Sequence, residues 1–191
     1  MRLEQAKVIA NNIKRYLSPG CIRIEIAGSV RREKTEVNDI EFVAIPDLRT
    51  PRPRFGEKKP FKTDLDRILD DMRRQGENEP IKGGDKYKQF WLIQDGEKVI
   101  KIDLFLVTPP AQWGVQMVIR TGPNKPENNF SQWMVTHKSM GGALPDEYCV
   151  KDGAMWMGDV ALSTPTEEDF FIRCGLKYME PGERVAKWTR S

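Results

Sequence analysis

The sequence predicts an α+β chain, with antiparallel or mixed strands and flanking helices followed by a smaller, mostly helical module. Three observations carry this reading. Apolar residues Ala6, Ile9, Ala10, Ile13 and Leu17 form one stripe at helical spacing near the start. Segments 21–27, 40–45, 86–94 and 98–107 are short, apolar or alternating, as strands are. After Thr108-Pro109-Pro110 the strand pattern gives way to helical spacing, which places a boundary near residue 110 and divides the chain into 1–110 and 111–191.

The elements follow in order. A helix over 3–17 is stopped by Ser18-Pro19-Gly20. The strand 21–27 alternates Ile22, Ile24 and Ile26 against Arg23 and Glu25, and Gly28-Ser29 breaks it. Ile40 to Ile45 is the next strand, ended by Pro46, and the charged, proline-rich stretch 46–60 reads as a loop. Phe61, Leu65, Ile68, Leu69 and Met72 mark a helix ending at Arg73, Arg74 and Gly76. Asp95-Gly96 joins strands 86–94 and 98–107 as a hairpin. Beyond the prolines, helices are expected over 113–119, over 127–137 with Phe130, Trp133 and Met134 inward, and from Thr166 with an acidic first turn.

Composition narrows the chemistry. The 191 residues contain one histidine and three cysteines, Cys21, Cys149 and Cys174, which lack metal-site or redox spacing. Carboxylates, hydroxyls and basic groups remain. No apolar run approaches the roughly 20 residues that span a bilayer, and the charged N-terminal helix does not read as a secretion signal, so a cytoplasmic protein is expected, a nucleoid or viral replication or repair context being the alternative; a monomer is a separate expectation. The net charge is +3. It is uneven: residues 1–60 hold 13 Lys and Arg against 8 Asp and Glu, which suits contact with a polyanion. Arg52, Arg54, Lys58 and Lys59 in the loop 51–59 are candidate contacts.

The chemistry-bearing pattern is Gly28-Ser29-Val30-Arg31-Arg32, followed by Asn38-Asp39-Ile40-Glu41. The first run offers a tight turn with free backbone N–H groups, a hydroxyl and two guanidinium groups, the parts needed to hold phosphate. In the second, Asp39 and Glu41 project from the same side of one strand. Asp103, a charge within the otherwise apolar run Ile102 to Val107, would add a third carboxylate from a neighbouring strand. Three converging carboxylates repel one another unless cations are present. The expectation is therefore a pair of divalent ions, Mg²⁺ or alternatively Mn²⁺, held by Asp39, Glu41 and Asp103, with a nucleoside triphosphate as substrate.

In this order the motifs resemble the palm and thumb of a family X DNA polymerase, the group of DNA polymerase beta and terminal transferase, and the likeness spans nearly the whole chain. That family's palm carries Gly-Ser-x-Arg-Arg, an Asp-x-Asp pair and a third Asp in a later strand. The resemblance implies a nucleotidyltransferase palm over 1–110 and a thumb over 111–191. It implies metal ligation by Asp39, Glu41 and Asp103, and nucleotide contacts from Gly28, Ser29, Arg32, Thr121, Gly122, Asn128 and Asn129; Asn38 and Arg120, where this chain departs from the family pattern, are further candidates, Arg120 for a phosphate. Thr121-Gly122 resembles a cis-bonded turn beside the sugar, and the helix from near Asn124 resembles the one that packs on a nascent base pair. Leu144-Pro145-Asp146-Glu147-Tyr148, Thr166-Glu167-Glu168-Asp169-Phe170 and Tyr178-x-Glu180-Pro181-x-x-Arg184 extend the likeness.

Glu41 stands for the second Asp, Asn38 for a preceding glycine, and Ile119-Arg120 for an aromatic pair that screens the sugar. Lyase and fingers regions are expected to be absent. The implied activity is addition of deoxynucleotides to a DNA primer 3′-end, template-directed on gapped DNA in repair. Template-independent tailing and transfer to RNA or a small molecule share the same palm. A module that binds nucleic acid without catalysis is a further alternative.

Overall fold

The computed structural model describes residues 1–49 and 62–189, so the basic loop 51–59 lies outside the described residues. The chain divides into two compact units. The first comprises Met1–Ile26 and Thr35–Leu106, the second Ala27–Lys34 and Val107–Ser191. This division differs from a single cut near 110, because a short inner segment, 27–34, packs with the second unit.

The first unit is α+β with a mixed sheet and flanking helices. Helix α1, Leu3–Leu17, buries Ala6, Ala10, Ile13 and Leu17, and a 3₁₀ turn at Ser18–Gly20 ends it. Gly20 is required there, since a Cβ would stand 2.6 Å from the backbone N and Cα of Leu65. Strand β1, Cys21–Ile26, pairs antiparallel with β2, Asp39–Pro46. The third helix in chain order, α3, Asp64–Arg74, follows β2, and the Thr63 hydroxyl caps it by accepting from Asp66 N at 3.1 Å. Strands β3 (Asn78–Gly83), β4 (Tyr87–Gln94) and β5 (Glu97–Leu106) complete the sheet in the order β1-β2-β5-β4-β3. Strands β2 and β5 are parallel, and every other pairing is antiparallel.

One face of this sheet carries Ile40, Phe42, Ile102 and Leu104, all fully buried. Lys88 lies on that same face and pairs with Asp66 of α3 at 2.8 Å. Asp95 and Gly96 both adopt positive φ, 51° and 80°, as a two-residue hairpin turn requires. Two expectations need correction. Ile22, expected to share the apolar side of β1 with Ile24 and Ile26, is 71% exposed, and it sits where the β1–β2 register shifts between Cys21 and Arg23. Strand β3 was not expected, since Pro80 cannot donate to a ladder; it is accommodated at the sheet edge beside a bulge.

The second unit starts with α2, a single turn over Gly28–Arg31, and α4, Trp113–Thr121. A two-residue hairpin of β6 (Asn124–Lys125) and β7 (Asn128–Asn129) precedes α5, Phe130–Val135. The expected helix over 127–137, and the earlier start near Asn124, are thus corrected: Asn128 and Asn129 are paired strand residues, and the Asn129 side chain caps α5 by accepting from Gln132 N. A meander follows, β8 (Cys149–Lys151), β9 (Ala154–Met157) and β10 (Val160–Leu162), then α6, Glu167–Arg173, with a capping box between Thr166 and Asp169. Val115, Val118, Phe130, Trp133, Met134, Leu144, Phe170 and Phe171 form its core.

Among the described residues no helix is long and apolar enough to cross a membrane. Helix α4 approaches the start of α6 very closely at Gly114, where a Cβ would stand 1.9 Å from the Thr166 carbonyl oxygen. Gly114→Ala is therefore expected to destabilise the second unit by about 1–3 kcal/mol, the cost of overpacking a filled site. Thermal unfolding followed by tryptophan fluorescence measures it, and an unchanged midpoint would contradict the contact.

Candidate active site

The parallel register sets Glu41 directly opposite Asp103 and Asp39 opposite Lys101. Register partners share a sheet face, and so do residues two apart on one strand. Asp39, Glu41 and Asp103 therefore stand on one face, the one away from Ile40, Phe42, Ile102 and Leu104. Strand β4 adds Gln89 opposite Asp103 and Tyr87 opposite Phe105.

Asp103 is only 7% exposed. The Tyr87 hydroxyl donates to its Oδ1 at 2.5 Å, and the Gln89 amide donates to the same oxygen at 2.7 Å. Both donors are neutral. Oδ2 accepts no hydrogen bond from the described residues, and no lysine or arginine among them forms an ion pair with Asp103. Burying a carboxylate with one oxygen uncommitted is costly without a further partner. The donor set, all hard oxygen, fits a divalent cation such as Mg²⁺. Among the described residues, no three His, Cys, Asp or Glu side chains are gathered closely enough to hold an ion by themselves. The arrangement is thus an open carboxylate face, not a closed cage, and Mg²⁺ is commonly held by one or two carboxylates plus substrate phosphates.

The phosphate-turn candidates lie in the second unit. Gly28 has φ 59°, the left-handed region that glycine tolerates. The Ser29 Oγ is buried and has no hydrogen-bond partner among the described residues. The two arginines are tied to the end of α4. Arg31 donates to the Thr121 hydroxyl at 3.0 Å and grips both carboxylate oxygens of Glu167. Arg32 donates from Nη1 to the Thr121 carbonyl at 2.6 Å. The structure thus brings Arg32, Thr121 and Gly122 together. The expected cis bond at Thr121-Gly122 is not there, since among the described residues the cis peptide is Pro109–Pro110.

Other expected contacts have other tasks. Arg120 donates to the Gln116 side chain at 3.4 Å. The Asn128 side chain donates to Arg184 O and accepts from Ala186 N, each at 2.9 Å, so both ends of its amide fasten the C-terminal tail. Asn38 is an exposed residue just ahead of β2. Burial pushes the thiols of Cys21 and Cys174 up to about 12, which removes them as nucleophiles near neutrality.

Tyr87 and Gln89 escaped the sequence reading, and Glu167 enters it only as part of an acidic helix start, without its arginine partners. Glu167 is sandwiched between Arg31 and the fully buried Arg184, which donates to it at 2.8 Å and packs against Phe171 and Tyr178. Burial raises the Glu167 carboxyl, but hydrogen bonds and charge from Arg31 and Arg184 outweigh that and hold it below the usual glutamate range. A carboxyl lowered in this way stabilises the fold above its unfolded pKa, and the contribution fades as pH falls through the folded value. Glu167→Gln should cost about 3 kcal/mol at neutral pH by leaving two guanidinium groups short of a counter-charge. The deficit should shrink as pH falls below the ordinary glutamate range, as thermal melts across pH would record.

No protein-family model matches the chain, and no curated protein is significantly similar to it.

Proposed function

We propose that this chain is a metal-dependent nucleotidyltransferase that adds nucleotides from a nucleoside triphosphate to a DNA 3′-end, in the manner of a family X DNA polymerase. The observation that carries the proposal is the in-register pair Glu41 and Asp103, with Asp39 on the same face and Asp103 nearly buried without a cationic partner. An acid enclosed this way supports a cation-binding role better than a structural one, because neutral donors satisfy only one of its oxygens.

Bound divalent ions would lower the pKa of the attacking 3′-hydroxyl and offset charge on the triphosphate. Asp39 and Glu41 would hold the triphosphate side of such an ion set, and Asp103 the side of the 3′-hydroxyl. In the second unit, Ser29 is the group that supports phosphate binding, because its buried hydroxyl lacks a partner. Arg32 supports the reading less directly: its bond to the Thr121 carbonyl positions the Thr121-Gly122 turn.

Template-directed addition is the form implied by the likeness to family X. One observation favours a second reading, template-independent tailing. Asn128 and Asn129, the residues expected to test a base pair in the minor groove, have their side chains engaged by the chain's own backbone. Offering one nucleotide at a time to a gapped duplex and to a single-stranded primer separates the two. Preference for the complementary nucleotide on the gapped duplex supports templating, and equal use of all four on both substrates supports tailing.

Asp103→Asn should reduce incorporation of a labelled nucleotide by more than the about 10–100-fold that follows loss of an outer-shell partner. Incorporation should also stop in excess chelator. Full activity of the variant would refute the metal role of Asp103, and full activity in chelator would refute the mechanism.

A further inference from the structure

We infer that Tyr87 and Gln89 set the ion selectivity of the carboxylate face by restricting Asp103 to one-point coordination, an inference that rests on the metal-dependent reading above. Both donors converge on Oδ1, at 2.5 Å and 2.7 Å. An oxygen already accepting two hydrogen bonds is a poor metal ligand, so Asp103 offers Oδ2 alone. Withdrawing the donors to free Oδ1 would strand a hydroxyl and an amide at a site that is 7% exposed.

The donors are themselves held in place. The Tyr87 ring stacks on Phe105 with centroids 5.1 Å apart, and the Lys82 ammonium lies 5.7 Å from the Tyr87 ring centroid. Gln89 is fixed by its register opposite Asp103. A rotation of the Asp103 carboxylate that presented both oxygens outward would break both bonds at once.

One-point and two-point carboxylates suit different ions. Mg²⁺ demands near-octahedral geometry, with one oxygen from each ligand group, whereas Ca²⁺ takes six to eight oxygens and accepts bidentate carboxylates. Holding Asp103 to one oxygen therefore disfavours the larger ion. Removing either donor should relax that restriction and let Ca²⁺ compete. Tyr87 and Gln89 would then be positioning residues that act through Asp103 without touching substrate.

The experiment follows Mn²⁺ bound to the full chain by its EPR signal and displaces it with Mg²⁺ or Ca²⁺. Tyr87→Phe keeps the stack on Phe105 and removes only the hydroxyl, and Gln89→Met keeps side-chain length and removes the amide. Each should shift the Ca²⁺-to-Mg²⁺ displacement ratio toward Ca²⁺ by about tenfold, in the range of outer-shell effects. General loosening would weaken both ions together and leave the ratio unmoved. An unchanged ratio in both variants, with Mn²⁺ binding lost in Asp103→Asn, overturns the selectivity role while the metal reading stands. Identical Mn²⁺ binding by the wild-type chain and Asp103→Asn overturns the metal role of Asp103 and this inference with it.

Discussion

The parallel pairing of β2 with β5 is the constraint on which the candidate site depends. Ile40, Phe42, Ile102 and Leu104 occupy one face and are removed from water entirely. At roughly 1.5–3 kcal/mol for each large apolar side chain buried, that face fixes the register. A slip of one residue on either strand would exchange its apolar and charged sets, putting carboxylates into the core. The positions of Asp39, Glu41 and Asp103 are thus a by-product of hydrophobic burial on the other side of the same strands. Little extra stabilisation is needed to hold them in place, and a site that gathers like charge benefits from such an external guarantee.

A second device works beside it. The two-residue turn at Asp95-Gly96 would, in an unbroken ladder, set Lys88 opposite Asp103. The register instead shifts between Leu92 and Ile93, leaving Val99 as the additional residue on β5. That shift carries Lys88 to the other face, where it meets Asp66, and brings Gln89 to Asp103. A cation beside the carboxylate would neutralise it permanently. Neutral donors hold it in position and leave its charge available.

Much of this was legible in the chain. The apolar stripe of α1, the alternation in β5, the Asp95-Gly96 turn and the shared face of Asp39 and Glu41 are all local patterns, and local patterns survive in sequence. What escaped was non-local or exceptional. Tyr87 and Gln89 became partners of Asp103 only through a bulge, which no short-range signal announces. Strand β3 was obscured by Pro80. The Asp152-Gly153 turn carries the same signal as Asp95-Gly96, with φ of 51° and 76°, but its strands are only three and four residues long. Asn129 is a good helix cap, and reading it as helix interior lengthened α5 at the expense of the β6–β7 hairpin.

The inner segment 27–34 has a consequence for how the second unit can exist. Arg31 reaches Glu167 across 136 residues of chain, so the unit is not one continuous stretch of sequence. A fragment cut at Leu106 would carry Glu167 and Arg184 but neither Arg31 nor the Gly28-Ser29 turn. During folding this contact must wait for a long loop to close, which places it among the late and slow events. The second unit therefore cannot be shuffled between proteins as a cassette, because two separate pieces would have to travel together.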